Sequence, residues 1–108
     1  MIDANEINEI LSTYKKYGWE LRRILLTTEL RNSVDEMFAG VSVSDADIDA
    51  AWFSRPQQTG PIAWEIRHLS TAPYALLEHL DETDADFEAT LRAVETRLRD
   101  AVAKKQSA

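Results

Sequence analysis

The feature that most constrains the fold is a strict alternation of apolar and charged residues near the middle of the chain. Ile62, Trp64 and Ile66 are separated by single residues, with Glu65 and Arg67 at the alternate positions. Successive side chains of a strand point to opposite faces of a sheet. The pattern therefore predicts a half-buried strand over residues 62–69.

A four-residue echo of this segment predicts a second strand. Trp64-Glu65-Ile66-Arg67 is preceded 45 residues earlier by Trp19-Glu20-Leu21-Arg22. The echo is too short to establish a duplication, and we interpret it as two half-buried strands of one sheet. Residues 19–26 are also rich in Leu, Arg and Glu, which favour helices, so a helical 19–26 is the alternative.

The first helix is predicted over residues 4–17 from its end signals. Asp3 followed by Glu6 has the spacing of a capping box, in which each side chain satisfies an unpaired backbone amide of the first turn. Gly18 can adopt the left-handed conformation that ends a helix. Between these ends, Ile7, Ile10, Leu11 and Tyr14 recur at helical spacing.

Two further helices are predicted from apolar stripes. One runs from Thr27 or Thr28 to Ala39, before a stop at Gly40. The other follows a cap at Thr83, with Asp86 three residues later, and residues 106–108 are expected to be frayed. Its seam consists of Phe87, Leu91, Val94, Leu98 and Val102.

Residues 48–80 are predicted to hold three strands, Ile48 to Arg55, Ile62 to Leu69 and Tyr74 to Leu80. The last of these could instead be a short helix that begins at Pro73. Before them, residues 41–43 are expected to form an extended link and residues 44–47 a helical turn. Two loops separate the strands, at residues 56–61 and 70–73.

These elements predict one α+β domain over residues 1–108, in the order α-β-α-β-β-β-α. Its sheet is expected to be mostly antiparallel and four-stranded, packed on helices. The alternative is an all-α fold in which residues 19–26 and 74–80 are helical.

Composition excludes several classes of site. The chain has no cysteine, which rules out disulfides, thiolate zinc sites and cysteine nucleophiles. Its three glycines fit neither a P-loop, nor a dinucleotide fingerprint, nor a nucleophile elbow. No cofactor and no metal site is predicted.

Charge and hydropathy restrict partners and location. Twelve Lys and Arg against 19 Asp and Glu give a net charge of −7, which repels nucleic acid over long range. Apolar runs do not exceed four residues, so no membrane span is expected. With no signal-peptide pattern at the N-terminus, the expected location is the cytoplasm.

Two polar clusters contain residue types that are found in metal or catalytic sites. Asp45, Asp47 and Asp49 lack the glycine and the distal glutamate of a calcium loop, so helix capping and surface charge explain them better. His68, His79 and Glu78 would suit an acid–base or metal site. The predicted hairpin, however, places the two histidines apart.

Each tryptophan precedes an arginine: Trp19 precedes Arg22 and Arg23, Trp52 precedes Arg55, and Trp64 precedes Arg67. A spacing of three puts residues on opposite faces of a strand, which predicts core tryptophans and surface arginines. The candidate interface or ligand contacts are Arg22, Arg55, Glu65 and Arg67. A sheet face carrying Glu20, Arg22, Glu65 and Arg67 would be a mixed-charge surface suited to a two-fold dimer.

For function, the sequence favours a small non-enzymatic interaction module that acts as a homodimer or an accessory subunit. The first alternative is a binding module for a small anionic or aromatic ligand, with an arginine beside an indole. The least favoured is an enzyme that uses His68 or His79 with Glu78.

Overall fold

A computed structural model describes residues 2–34, 38, 40–56, 62–70 and 74–107 of the protein. The elements are α1 (Ala4–Lys16), β1 (Glu20–Leu26), α2 (Thr28–Val34), β2 (Ser42–Asp45), β3 (Ala50–Arg55), β4 (Ile62–His68), β5 (Ala75–Leu80) and α3 (Phe87–Ser107). The strands form one sheet in the order β2-β1-β3-β4-β5. The predicted α+β class is confirmed, and the all-α alternative is wrong.

The sheet has five strands instead of the predicted four. The additional strand is formed by residues 42–45, which pair in parallel with β1. The expected link at 41–43 and helical turn at 44–47 are replaced by β2 and its flanks. This strand has four residues, three of them polar, so its own hydrophobic pattern is weak. Parallel neighbours need a crossover connection, and the segment that contains α2 supplies it.

β1 contains a β-bulge that decides where its arginines point. Leu21 pairs with Phe53, whereas the next partner in β3, Trp52, lies opposite Arg23. Arg22 is thus the extra residue, and the alternation of the strand is interrupted there. The remaining antiparallel pairs, β3 with β4 and β4 with β5, have unbroken register.

Helices cover the sheet on both sides. On the side called here the α1 face, α1 and α2 pack over a cluster that includes Ile7, Ile24, Leu26, Leu30 and Phe53. On the opposite side, the α3 face, α3 packs over Trp52, Trp64, Ile66, Leu91 and Leu98. Trp52 and Trp64 are core residues, as predicted, and Trp19 is half-buried at the edge of the α1 cluster.

The ends of α1 confirm Asp3 as the N-cap and Gly18 as the stop. The Asp3 carboxylate accepts a hydrogen bond from the backbone N–H of Glu6 at 2.9 Å. The helix ends at Lys16, and Gly18 has a φ of 88°, the left-handed conformation that glycine adopts without a steric penalty.

The predicted cap of α3 at Thr83 is wrong. The Asp81 carboxylate accepts hydrogen bonds from both the backbone N–H and the hydroxyl of Thr83. The first helical bond runs instead from Thr90 N–H to the Asp86 carbonyl at 2.9 Å. α3 therefore begins at Phe87 and continues to Ser107, and the predicted fraying at 106–108 stays a prediction.

Some sequence predictions fall on residues that the structure does not describe. These are positions 35–37 and 39 of the second helix, most of the 56–61 loop and residues 71–73 of the last turn. In the described ranges, no helix has the length and apolar composition needed to cross a membrane.

Candidate functional site

Arg22 is half-buried and makes three contacts on the α3 face. Its guanidinium donates to the Ser54 hydroxyl at 3.0 Å and to the Glu82 carboxylate at 2.8 Å. The guanidinium carbon also lies 4.8 Å from the centre of the Trp64 ring. These contacts tie β1 to the segment before α3, so Arg22 has a structural role.

Arg23 acts in the same way, because the bulge places it on the same face. Its two terminal nitrogens donate to both oxygens of Glu88, at 2.8 and 2.5 Å. This bond raises the pKa of Arg23 and lowers the pKa of Glu88. A bidentate pair of this kind fixes geometry as well as charge, and it holds the first turn of α3 against β1.

Arg55 makes a cation–π contact with Trp19 on the α1 face. Its guanidinium carbon lies 4.9 Å from the centre of the Trp19 ring, and Nη1 donates to the Tyr17 carbonyl at 3.4 Å. The cation–π pairs Arg22–Trp64 and Arg55–Trp19 therefore each join residues that are far apart in sequence. Neither arginine stacks on the tryptophan that precedes it in the chain.

The predicted grouping of Glu20, Arg22, Glu65 and Arg67 on one face is wrong. Glu20 pairs with Ser54, and Ser54 pairs with Trp64, so Glu20 lies over the α3 face with Arg22. Glu65 and Arg67 point to the α1 face instead. The two copies of the echo are displaced by one residue across the sheet, and such a displacement exchanges the faces.

On the α1 face, Glu65 and Arg67 contact the helix and the backbone. The Tyr14 hydroxyl donates to Glu65, and burial, followed by this bond, raises the pKa of Tyr14. Arg67 donates to the His68 carbonyl. Arg67 also borders an open cleft of about 320 Å³ beside Glu6 and Glu9 of α1.

The residues of the enzyme hypothesis do not converge. His68 lines a cleft with Asp47, Asp49 and Arg99, and burial lowers its pKa. His79 pairs with Ala63 at the other end of the β4–β5 ladder. Glu78 accepts from Arg97 of α3.

The three aspartates also serve separate partners. Asp45 pairs with Arg31, Asp47 accepts from Arg99 at 2.7 Å, and Asp49 accepts from the Thr27 backbone N–H at 2.7 Å. Asp49 therefore binds the backbone just before α2, and none of these three contacts is the helical turn at residues 44–47 that the capping interpretation predicts. Among the residues that the structure describes, no three His, Asp or Glu side chains are placed to hold a metal ion.

The best candidate for an interaction site is the outer edge of β5. β5 is the last strand of the sheet and is paired through β4 alone in the described chain. The His68 N–H donates to the Tyr74 carbonyl at 2.9 Å, which makes these opposed residues a hydrogen-bonded pair. Because such pairs alternate along an antiparallel ladder, the backbone groups of Leu76, Glu78 and Leu80 face β4. Those of Ala75, Leu77 and His79 face outward.

The side chain of Leu77 adds apolar surface to this edge. Leu77 is 51% exposed. It lies opposite Glu65 and therefore on the same face of the sheet, the α1 face. Of the large apolar side chains that the structure describes, only Tyr17, 62% exposed, is similarly open, and it lies at the end of α1.

The two sheet edges differ in how they are protected. The β2 edge is four residues long and carries two serines and an aspartate. β5 is six residues long, has no proline or lysine, and shows no bulge against β4. In natural proteins, short length, prolines, lysines and β-bulges commonly protect edge strands from pairing with another chain. Glu78 is the acidic residue of β5, and it forms an ion pair with Arg97 of α3.

Sequence reasoning predicted β5 as a strand but did not single out Leu77. The residues of β5 alternate regularly between exposed and half-buried. The position of β5 at the edge depends on the order of the strands in the sheet. No family model, curated protein or solved structure matched the chain.

Proposed function

We propose that the protein is a non-enzymatic interaction module that forms a homodimer by pairing the β5 edges of two copies. The observation that carries the proposal is an edge strand that pairs through β4 alone in the described ranges, with the exposed Leu77 at its middle. A second copy presents the same strand, so one interface satisfies both edges. A cytoplasmic location belongs to the proposal, since a chain without cysteine needs no oxidising compartment.

The alternation of backbone groups selects the register of the dimer. Outward-facing residues must meet outward-facing residues to form hydrogen-bonded pairs. An antiparallel arrangement with Leu77 on the two-fold axis opposes Leu77 to its own copy, and Ala75 to His79. Six-residue β5 strands paired in this way make one continuous ten-stranded sheet, twice the five strands of one copy.

Charge disfavours the neighbouring register. Centring the axis on Glu78 would place two carboxylates directly opposite each other, and like charges in that position are destabilising. With the axis on Leu77, Glu78 lies opposite Leu76 of the second copy. On the other face, the two exposed leucine side chains are buried against each other, which is the main apolar gain.

Leu77→Pro is a direct test of the edge. The substitution removes an outward N–H, while the bonds to β4 come from its neighbours, and proline is tolerated at strand edges for this reason. By sedimentation velocity or light scattering, we expect the wild-type mass to rise with concentration from 12.3 kDa toward twice that value. We expect Leu77→Pro to remain at the monomer mass.

Leu77→Lys is the second variant, because it keeps the backbone donor and adds a charge that a strand edge repels. Tyr17→Lys is the matched control: it changes the other exposed aromatic or aliphatic side chain, away from β5. The circular dichroism spectrum must be that of the wild type in each variant. A wild type that stays monomeric, or a dimer that survives both Leu77 substitutions, would show that the β5 edge is not a homodimer interface.

A further inference from the structure

The geometry points to a second, independent site: an apolar pocket between α1 and β1 that binds a small amphipathic carboxylate. The pocket has a volume of about 480 Å³ and is lined by Leu11, Lys15, Gly18, Trp19, Glu20, Leu21 and Phe53. None of these residues belongs to β5, so the pocket makes no use of the proposed dimer edge.

The walls of the pocket suit an apolar body. Leu11 comes from α1, Leu21 and Phe53 come from adjacent strands, and Trp19 lies between helix and sheet. Phe53 is buried and stacked on Tyr14 with ring centres 3.9 Å apart, which makes a rigid floor. Small-molecule sites are commonly clefts of about 300–1,000 Å³ with mostly apolar walls and a few polar groups.

The cations at the pocket select the charge of the ligand. Lys15 lines it directly. Arg55 packs beside it over Trp19, and a Cβ built on Gly18 would lie 3.6 Å from Arg55 Cδ. The ion pairs of the described residues involve other cations, so Lys15 and Arg55 have no carboxylate partner there. In a protein with a net charge of −7, an apolar cleft beside two such cations favours an anion.

The acidic residue of the lining does not oppose this assignment. Glu20 pairs with Ser54, whose hydroxyl accepts from Arg22 on the α3 face. Since side chains alternate along a strand, the Glu20 carboxylate points toward that face, away from the side on which Leu21 and Phe53 lie.

Octanoate is the test probe. Its binding is monitored through the indole N–H signals of the protein in ¹H–¹⁵N spectra. We expect saturable shifts of the Trp19 signal, which a Trp19→Phe variant assigns. Trp52 and Trp64 lie on the α3 face and should not shift. Octanamide has the same chain without the charge, and we expect it to bind about tenfold more weakly, as the loss of one charge-assisted contact predicts.

Two charge substitutions with a matched control complete the experiment. Lys15→Gln should weaken octanoate binding by about tenfold, and Arg55→Gln should weaken it less, because Arg55 lies over Trp19 outside the lining. Lys16→Gln removes the same charge from the same helix end, but Lys16 does not line the pocket, and binding should be unchanged. No saturable shift at Trp19, equal binding of octanamide, or an equal loss in Lys16→Gln would overturn the inference. None of these results bears on the dimer, which Leu77 reports.

Discussion

Two arginines and a tryptophan of the sheet have side-chain partners that are distant in sequence. Arg22 stacks on Trp64, Arg55 stacks on Trp19, and the Trp52 indole N–H donates to Glu95 at 2.9 Å. Residues three apart on a strand point to opposite faces, so the arginine after each tryptophan cannot reach it. The spacing thus excluded local pairs, but the actual partners depend on which strands are neighbours.

His68 predicts a measurable dependence of stability on pH. Burial lowers its pKa, with Asp49 raising it and Arg67 lowering it to a smaller extent. The unfolded chain, with a histidine pKa of about 6.5, therefore binds the proton more tightly than the folded chain. We expect stability to fall as the pH drops from neutral through about 6.5 and on toward the lowered native pKa.

Urea unfolding at pH 7.5 and 5.5 measures this effect. His68→Gln should lose less stability between the two pH values than the wild type. The same acid-induced loss in His68→Gln would place the cause in other groups.

Between elements, a buried side-chain hydrogen bond joins the central strand to α3. Glu95 of α3 is 6% exposed and accepts from the Trp52 indole, and Arg92 lies 3.6 Å from the same carboxylate oxygen. Burying a carboxylate is energetically costly unless its oxygens accept hydrogen bonds or pair with a cation. The contact fixes the position of α3 over β3 in a way that apolar packing alone does not.

Glu95→Ala should destabilise the protein by about 1–3 kcal/mol, the cost of leaving a buried donor without an acceptor. Glu95→Gln retains an acceptor oxygen and should cost less. Free energies of unfolding from urea titrations give the comparison. Equal losses in the two variants would mean that the Trp52 bond contributes little and that packing accounts for the effect.

Elements with a strong pattern of their own could be predicted from the sequence. α1 has its cap and its left-handed glycine, and β4 has its alternation, so local chemistry defines both. β2 was missed because four largely polar residues become a strand only when β1 offers them a partner. The start of α3 was misplaced because Asp81 binds the Thr83 hydroxyl that would otherwise have capped the helix.

At the scale of the whole molecule, the order of the strands decides which surface is available. β3 lies at the centre of the sheet, while β2 and β5 form its edges. The order also separates the candidate residues, since Arg22 stabilises the α3 face and Glu65 faces α1. Consequently the interaction surface that we propose is an edge, whereas the sequence suggested a charged face.

Amide hydrogen exchange should report the dimer at single residues of β5. The Leu77 N–H faces outward and the Glu78 N–H faces β4. In wild-type protein we therefore expect the protection of Leu77 to rise with concentration, while that of Glu78 stays nearly constant. In Leu77→Lys the amide at that position should exchange rapidly at every concentration. Protection of both amides that does not vary with concentration would contradict the β5 dimer.

The sequence by itself determined the α+β class, the capped first helix, the alternating strands and the burial of Trp52 and Trp64. Each of these follows from periodicity and end signals within about twenty residues. Only the tertiary structure decided the fifth strand, the bulge at Arg22, the cation–π partners and the edge position of β5. Their physical cause is strand pairing, which joins residues as far as 34 positions apart, as Glu20 and Ser54 are, and sets, by a shift of one residue, the face on which each side chain lies.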